Sequence, residues 1–205
     1  MQYRGLKYRW QLAPADEVAV RELAYACSLD RALARALYVR GYTTPEAAQK
    51  YLVMSSDWVA DPAVLKGAAA AADRIMAAVE RKEKILIFGD YDVDGITSTA
   101  IMLSCLLPLD ARINYFLPDR VREGYGLSSK IVRKAAENKY DLIVTVDNGI
   151  TAHQAVKDAK ALGLSVVITD HHQVHGELPP ADVIVNPHQP DCPYPYKDFA
   201  GVGVI

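Results

Sequence analysis

Asp90, Asp92 and Asp94 alternate through Gly89-Asp90-Tyr91-Asp92-Val93-Asp94-Gly95. Carboxylates this close repel one another unless a cation lies between them. Hard divalent ions such as magnesium or manganese take oxygen ligands of this kind. If the stretch prolongs the apolar run Ile85-Leu86-Ile87-Phe88 as a strand, alternate side chains share a face and the three acids aim at one point. An acidic turn in solvent would account for the same residues taken alone. Two further acids weaken that alternative. Asp147 closes Leu142-Ile143-Val144-Thr145-Val146 and precedes Asn148-Gly149, and Asp170 closes Val166-Val167-Ile168-Thr169 and precedes His171-His172. A neutral imidazole can complete a carboxylate-rich metal site, so adjacent histidines at an acidic strand end point to the same chemistry. His153 reads as structural.

Such residues meet only if the elements behind them align. Strand-like runs occupy Ile85–Gly89, Arg112–Leu117, Leu142–Asp147, Val166–Asp170 and Val183–Asn186. Helical patterns at Ile96–Leu107, Ser128–Asn138 and Thr151–Leu162 separate the first four. Strands that are apolar throughout suit burial on both faces, and strand alternating with helix predicts a doubly wound, mainly parallel α/β sheet. The carboxyl ends of such strands lie along one edge, where ligands bind at the switch in strand order. Before the first strand, Glu17–Tyr25, Asp30–Val39, Thr44–Tyr51 and Ala68–Val79 carry helical signals, Thr44-Pro45 as a cap and first turn. The expected division is a helical region over residues 1–80 and an α/β domain over 81–205.

Composition limits the alternatives. A chain of 205 residues that is 51% hydrophobic can bury a large core. Its net charge of -2 argues against nucleic-acid binding by bulk charge, though not against a local basic groove. Cys27, Cys105 and Cys192 are scattered, without the pairing of a zinc ribbon or a disulfide framework. No secretory pattern follows the basic, aromatic start, and the apolar stretch Ala100–Leu109 is too short to span a bilayer. These features predict a cytoplasmic protein without a membrane anchor.

Asp90-Tyr91-Asp92-Val93-Asp94-Gly95, Val146-Asp147-Asn148-Gly149 and Asp170-His171-His172 resemble the first three motifs of the DHH phosphoesterases. Leu117-Pro118-Asp119-Arg120 and Gly124-Tyr125-Gly126-Leu127-Ser128 resemble the branch of that family that digests single-stranded DNA from 5′ to 3′ in recombination and repair. The resemblance implies a hydrolase with two manganese or magnesium ions. It assigns Asp92 to one ion, Asp94 to the other, Asp147 to both and His171 to the second, with His172 on the scissile phosphate. Asp170 would orient the histidines and Asn148 would support Asp147. Asp90 is either a further ligand or a near neighbour. Arg120, Tyr125 and Gly126 would contact the strand through charge, a stacking ring and a tight turn. Implied partners are single-stranded DNA, a single-strand-binding protein and a helicase, with the enzyme itself monomeric.

The chain departs from the pattern in two places. Phe88 stands where many DHH enzymes carry a histidine, and a fourth motif, another aspartate, is expected after Gly201-Val202-Gly203, where the chain stops. It therefore reads as an N-terminal fragment, inactive alone. Competing readings remain. Asp92-Val93-Asp94-Gly95-Ile96-Thr97 matches the haloacid-dehalogenase phosphatase signature, with Asp92 as nucleophile. Another DHH phosphodiesterase or pyrophosphatase, or a silent DHH-like scaffold, would share the same motifs. A dinucleotide fold lacks its glycine fingerprint after Ile85.

Overall fold

The computed structural model describes residues 2–4, 7, 9–53, 55, 59–119, 121 and 124–205, and they form two compact units, Met1–Val59 and Ala60–Ile205. The first unit opens with an antiparallel pair, β1 (Gln2–Arg4) and β2 (Arg9–Gln11), that helical periodicity does not announce. Among the described residues, three helices follow: α1 (Glu17–Ala26), α2 (Arg31–Tyr38) and α3 (Pro45–Leu52). Asp16, Asp30 and Thr44 cap them through their side chains, each satisfying an amide of a first turn. Val20, Leu23, Ala34, Leu37 and Ala48 form their shared core.

The second unit is a five-stranded parallel sheet. Its strands are β3 (Lys84–Gly89), β4 (Arg112–Phe116), β5 (Leu142–Val146), β6 (Ser165–Thr169) and β7 (Val183–Val185), in the order β4-β3-β5-β6-β7. β3 and β5 are apolar on both faces because both faces are covered. Ile85, Ile87, Leu142, Val144 and Val146 pack with Ala71, Ile75, Ala78 and Val79 of α4 (Ala68–Glu80) and Leu106 of α5 (Val93–Leu106). Leu86, Phe88 and Ile143 pack on the other side, with α6 (Ser129–Glu137) and α7 (His153–Ala161). Phe88 is fully buried, and truncating it to alanine would cost roughly 3–5 kcal/mol. A last short helix, α8 (Gly201–Val204), follows the proline- and tyrosine-rich stretch.

Two expectations change. The units divide at Val59–Ala60 rather than near residue 80, because α4 places its apolar face on the sheet. And β3 ends at Gly89, so Asp90, Asp92 and Asp94 do not alternate along a strand. Asp92 caps α5, accepting from the Gly95 amide at 3.1 Å, and Asp94 lies in that helix's first turn. Asp92 accepts the bond that an N-cap residue makes, and a helix N-terminus favours negative charge. Helix capping wins over strand extension.

Candidate metal centre

Register lines up the acids. Gly89 pairs with Val146, and Val146 with Thr169. Asp90, Asp147 and Asp170 are each the next residue, so the three stand in one row across the carboxyl edge. The chain leaves β3 for β4 on one side and returns to β5 on the other, so the gap between β3 and β5 is the switch point.

The turns after the strands are tightly built. Asp147 has a φ of 64° and Gly149 one of 113°, a left-handed pair that reverses the chain at once. The buried Asn148 amide donates to the carbonyls of Phe88 at 3.2 Å and Val146 at 3.0 Å, tying the ends of β3 and β5. After β3, Gly95 lies directly against the Asp90 backbone, leaving no room for a side chain.

Ligand atoms of Asp90, Asp92 and Asp147 lie within 4.8 Å of one another, and so do those of Asp147, His171 and His172. Asp147 is common to both groups. Asp94 is in neither; its Oδ2 accepts the Gly201 amide at 3.0 Å. His171 donates Nδ1–H to the carbonyl of Phe199 at 2.6 Å, since a carbonyl can only accept. In the neutral ring, Nε2 then carries a lone pair, and it faces Asp147 Oδ1 at 3.2 Å. Asp147 Oδ1 is itself buried without a hydrogen-bond donor. Two acceptors aimed at each other fit a cation between them.

The electrostatics agree. Burial, then the neighbouring Asp92 and Asp94, push the Asp147 carboxyl up to about 7. Burial likewise raises Asp90, with Asp92 adding to it against the Tyr91 amide. Asp170 behaves differently. Burial alone would raise it, but bonds from the His172 ring and from the amides of His172 and Ile150 outweigh burial and hold it below the usual carboxylate range. Its bond to His172 Nδ1, 2.7 Å long, raises that imidazole in turn, against the effect of burial.

The Tyr125 hydroxyl lies 3.4 Å from His172 Nε2, with the rings edge-on at 6.0 Å. Gly124 and Gly126 flank it with φ values of 79° and 75°. Arg120 lies outside the described residues. His153 begins α7 and belongs to neither ligand group. Sequence reasoning missed Asn186, whose buried amide donates to the carbonyl of His172 at 3.0 Å. It also missed Phe199 and Gly201, which act through backbone atoms that no side-chain motif announces. Among the described residues, no helix is long and apolar enough to cross a membrane.

Comparisons with known proteins show what the chain is similar to. The single-stranded-DNA-specific exonuclease RecJ of Bacillus subtilis is 44% identical over 198 residues, covering 97% of this chain and 25% of that protein. RecJ of Escherichia coli is 43% identical over 141 residues, 68% of this chain and 24% of its own length. The chain thus spans about a quarter of the length of these relatives. A crystal structure of RecJ from Thermus thermophilus in complex with Mn2+ superposes with a TM-score of 0.67 at 29% identity, covering 94% of this chain and 26% of that one. A second, of exonuclease RecJ bound to manganese, gives 0.63 at 37% identity, covering 68% and 35%. The haloacid-dehalogenase reading loses its footing, because Asp92 is a helix cap and not the last residue of a strand. Residues 84–205, more than half of the chain, match the model of the DHH family, N-terminal domain, and the chain belongs to the DHH family.

Proposed function

We propose that this chain is the metal-binding, phosphodiester-cleaving part of a 5′-to-3′ exonuclease on single-stranded DNA, acting with manganese or magnesium in the DNA repair and recombination of the cytoplasm. The observation that carries it is the pair of facing acceptors, Asp147 Oδ1 and His171 Nε2, 3.2 Å apart beside Asp92 and Asp90. Two ions held there would supply an activated water and neutralise the charge of the phosphodiester. Asp147 would serve both, Asp92 and Asp90 one, and His171 the other, with Asp94 reaching the same ions from the first turn of α5. The RecJ relatives and the manganese-bound RecJ structures support this reading.

The remaining residues orient and move protons. Asp170 holds the His172 ring by Nδ1. Its Nε2 lies 3.4 Å from the Tyr125 hydroxyl, and the raised pKa favours a proton there. Protonated, Nε2–H would bond the scissile phosphate and give its proton to the departing 3′ oxygen. The Tyr125 ring, half exposed between two glycines, would stack on the terminal nucleotide. Arg120 would add charge to the strand's backbone.

Manganese titration of the wild type and Asp147→Ala by calorimetry tests this, alongside nucleotide release from 5′-labelled single strands by the full-length enzyme carrying each. Loss of both binding and release in the variant is expected. Equal manganese binding would remove Asp147 from the centre and sink the reading.

A further inference from the structure

The proline- and tyrosine-rich stretch before α8 has no part in the chemistry above, yet it is firmly anchored. Tyr194 is buried, and its hydroxyl donates to the carbonyl of Ala60 at 3.0 Å. The Phe199 ring packs on Tyr194 and Tyr196, with centroids 5.2 and 5.3 Å away. Lys197 Nζ donates to the carbonyl of Cys192 at 2.7 Å. Pro187, Pro190, Pro193 and Pro195 restrict the backbone between them.

This anchored arm delivers backbone atoms to the metal centre. Phe199 O accepts His171 Nδ1–H, and Gly201 N–H donates to Asp94 Oδ2. Gly201 is buried against Asp147: a Cβ there would lie 2.5 Å from the carboxyl carbon, closer than real Cβ atoms come. Its φ lies outside the left-handed region, so the requirement for glycine is steric and not conformational.

Deepening the proposed metal-binding reading, on which it rests, we propose that Phe199–Gly201 is the positioning element of the centre, fixing the His171 tautomer through a carbonyl and seating Asp94 and Asp147 on the Gly201 backbone. An imidazole left alone samples both neutral tautomers, and only one of them offers Nε2 as a ligand atom. The Asp170 bonds that orient His172 reach His171 only at its backbone amide. The Phe199 carbonyl is what selects the ligating form of the His171 ring. The proline- and tyrosine-rich stretch holds that carbonyl in place.

The test uses the whole chain. Long-range 1H–15N NMR in EDTA, well above the ordinary histidine pKa, should show His171 as the Nδ1–H tautomer. Phe199→Ala keeps the carbonyl but removes its anchor, and should leave His171 in a mixture of both. By calorimetry, Gly201→Ala should weaken manganese binding roughly 10- to 100-fold, the usual effect of losing support behind a ligand. Val204→Ala, which removes core packing from the same short helix, should leave affinity unchanged and lower only the unfolding midpoint. An Nε2–H tautomer in the wild type would overturn the proposal, as would wild-type affinity in Gly201→Ala. If Gly201→Ala does not fold, the tautomers of the wild type and Phe199→Ala still decide. A wild type with the Nδ1–H tautomer but no manganese binding would defeat the proposed function and support the arm's hold on the ring.

Discussion

Asp147 and Asp170 follow the last registered residues of adjacent parallel strands, and each is 1% exposed. The fold treats them oppositely. Asp170 accepts the amides of His171 at 2.7 Å, His172 at 3.0 Å and Ile150 at 2.9 Å, and the His172 ring at 2.7 Å. It is held as an anion below the usual range. Asp147 faces Asp92, Asp94 and the lone pair of His171, and is raised to about 7 by burial first and by those acids second. A buried carboxylate ringed by donors is complete within the protein. One ringed by acceptors calls for a proton or a metal cation.

The largest effect that can break this contrast is on metal binding. Asp147→Asn keeps the shape and tolerates a φ of 64°. It should weaken manganese binding by more than the roughly 10- to 100-fold typical of supporting residues, measured by calorimetry. The same variant should unfold at higher urea than the wild type in EDTA at neutral pH, because it removes a charge with no partner. Asp170→Ala should do the reverse to stability. It leaves His172 and three amides without their acceptor, at a cost of about 3–5 kcal/mol by urea denaturation in EDTA. If Asp147→Asn proves the more destabilising of the two, the contrast is wrong.

A smaller effect should appear in pH dependence. The Asp147 pKa is raised in the folded, metal-free state, so the folded state binds more protons than the unfolded one between the ordinary value, 3.8, and about 7. Its contribution to stability is therefore present below 3.8 and lost as pH rises through about 7, an effect on the order of a few kcal/mol. Asp147→Asn should remove that slope from urea midpoints taken across the range, and saturating manganese should flatten it in the wild type. A wild-type slope of the opposite sign through this window would contradict the picture. The smallest effect concerns the Tyr125 hydroxyl, 3.4 Å from His172 Nε2. Tyr125→Phe should shift stability by less than about 0.5 kcal/mol. Tyr125→Ala should also weaken single-strand binding by about 1–3 kcal/mol through lost stacking. Fluorescence anisotropy with a labelled strand separates the two.

Much of the candidate centre was legible in residue order. Val146 and Thr169 end apolar runs of the length and composition of buried strands, so Asp147 and Asp170 could be placed at one sheet edge before any coordinates. Asp90 joined them for the same reason, one residue past Gly89. Alternation does not account for Asp92 and Asp94, because an apolar residue between two acids reads the same whether the chain is extended or capping a helix, and here it caps one. The split at Val59–Ala60 was also missed. Ala68–Glu80 looks like any helix, and its alanine-rich face does not say that it packs on a sheet.

By itself, the sequence determined which strands could be buried, where they end in acid, and hence that a divalent-cation site was to be sought at the carboxyl edge. Those properties follow from hydrophobic runs and residue type, both local. The tertiary structure alone decided which acid is starved of donors and which is satisfied. That depends on amides and carbonyls arriving from elsewhere: Ile150 reaches Asp170 across 20 positions, Phe199 reaches the His171 ring across 28, and Gly201 reaches Asp94 across 107. Every residue carries the same backbone groups, so no spacing of side chains records where folding will bring one of them against a carboxylate or an imidazole.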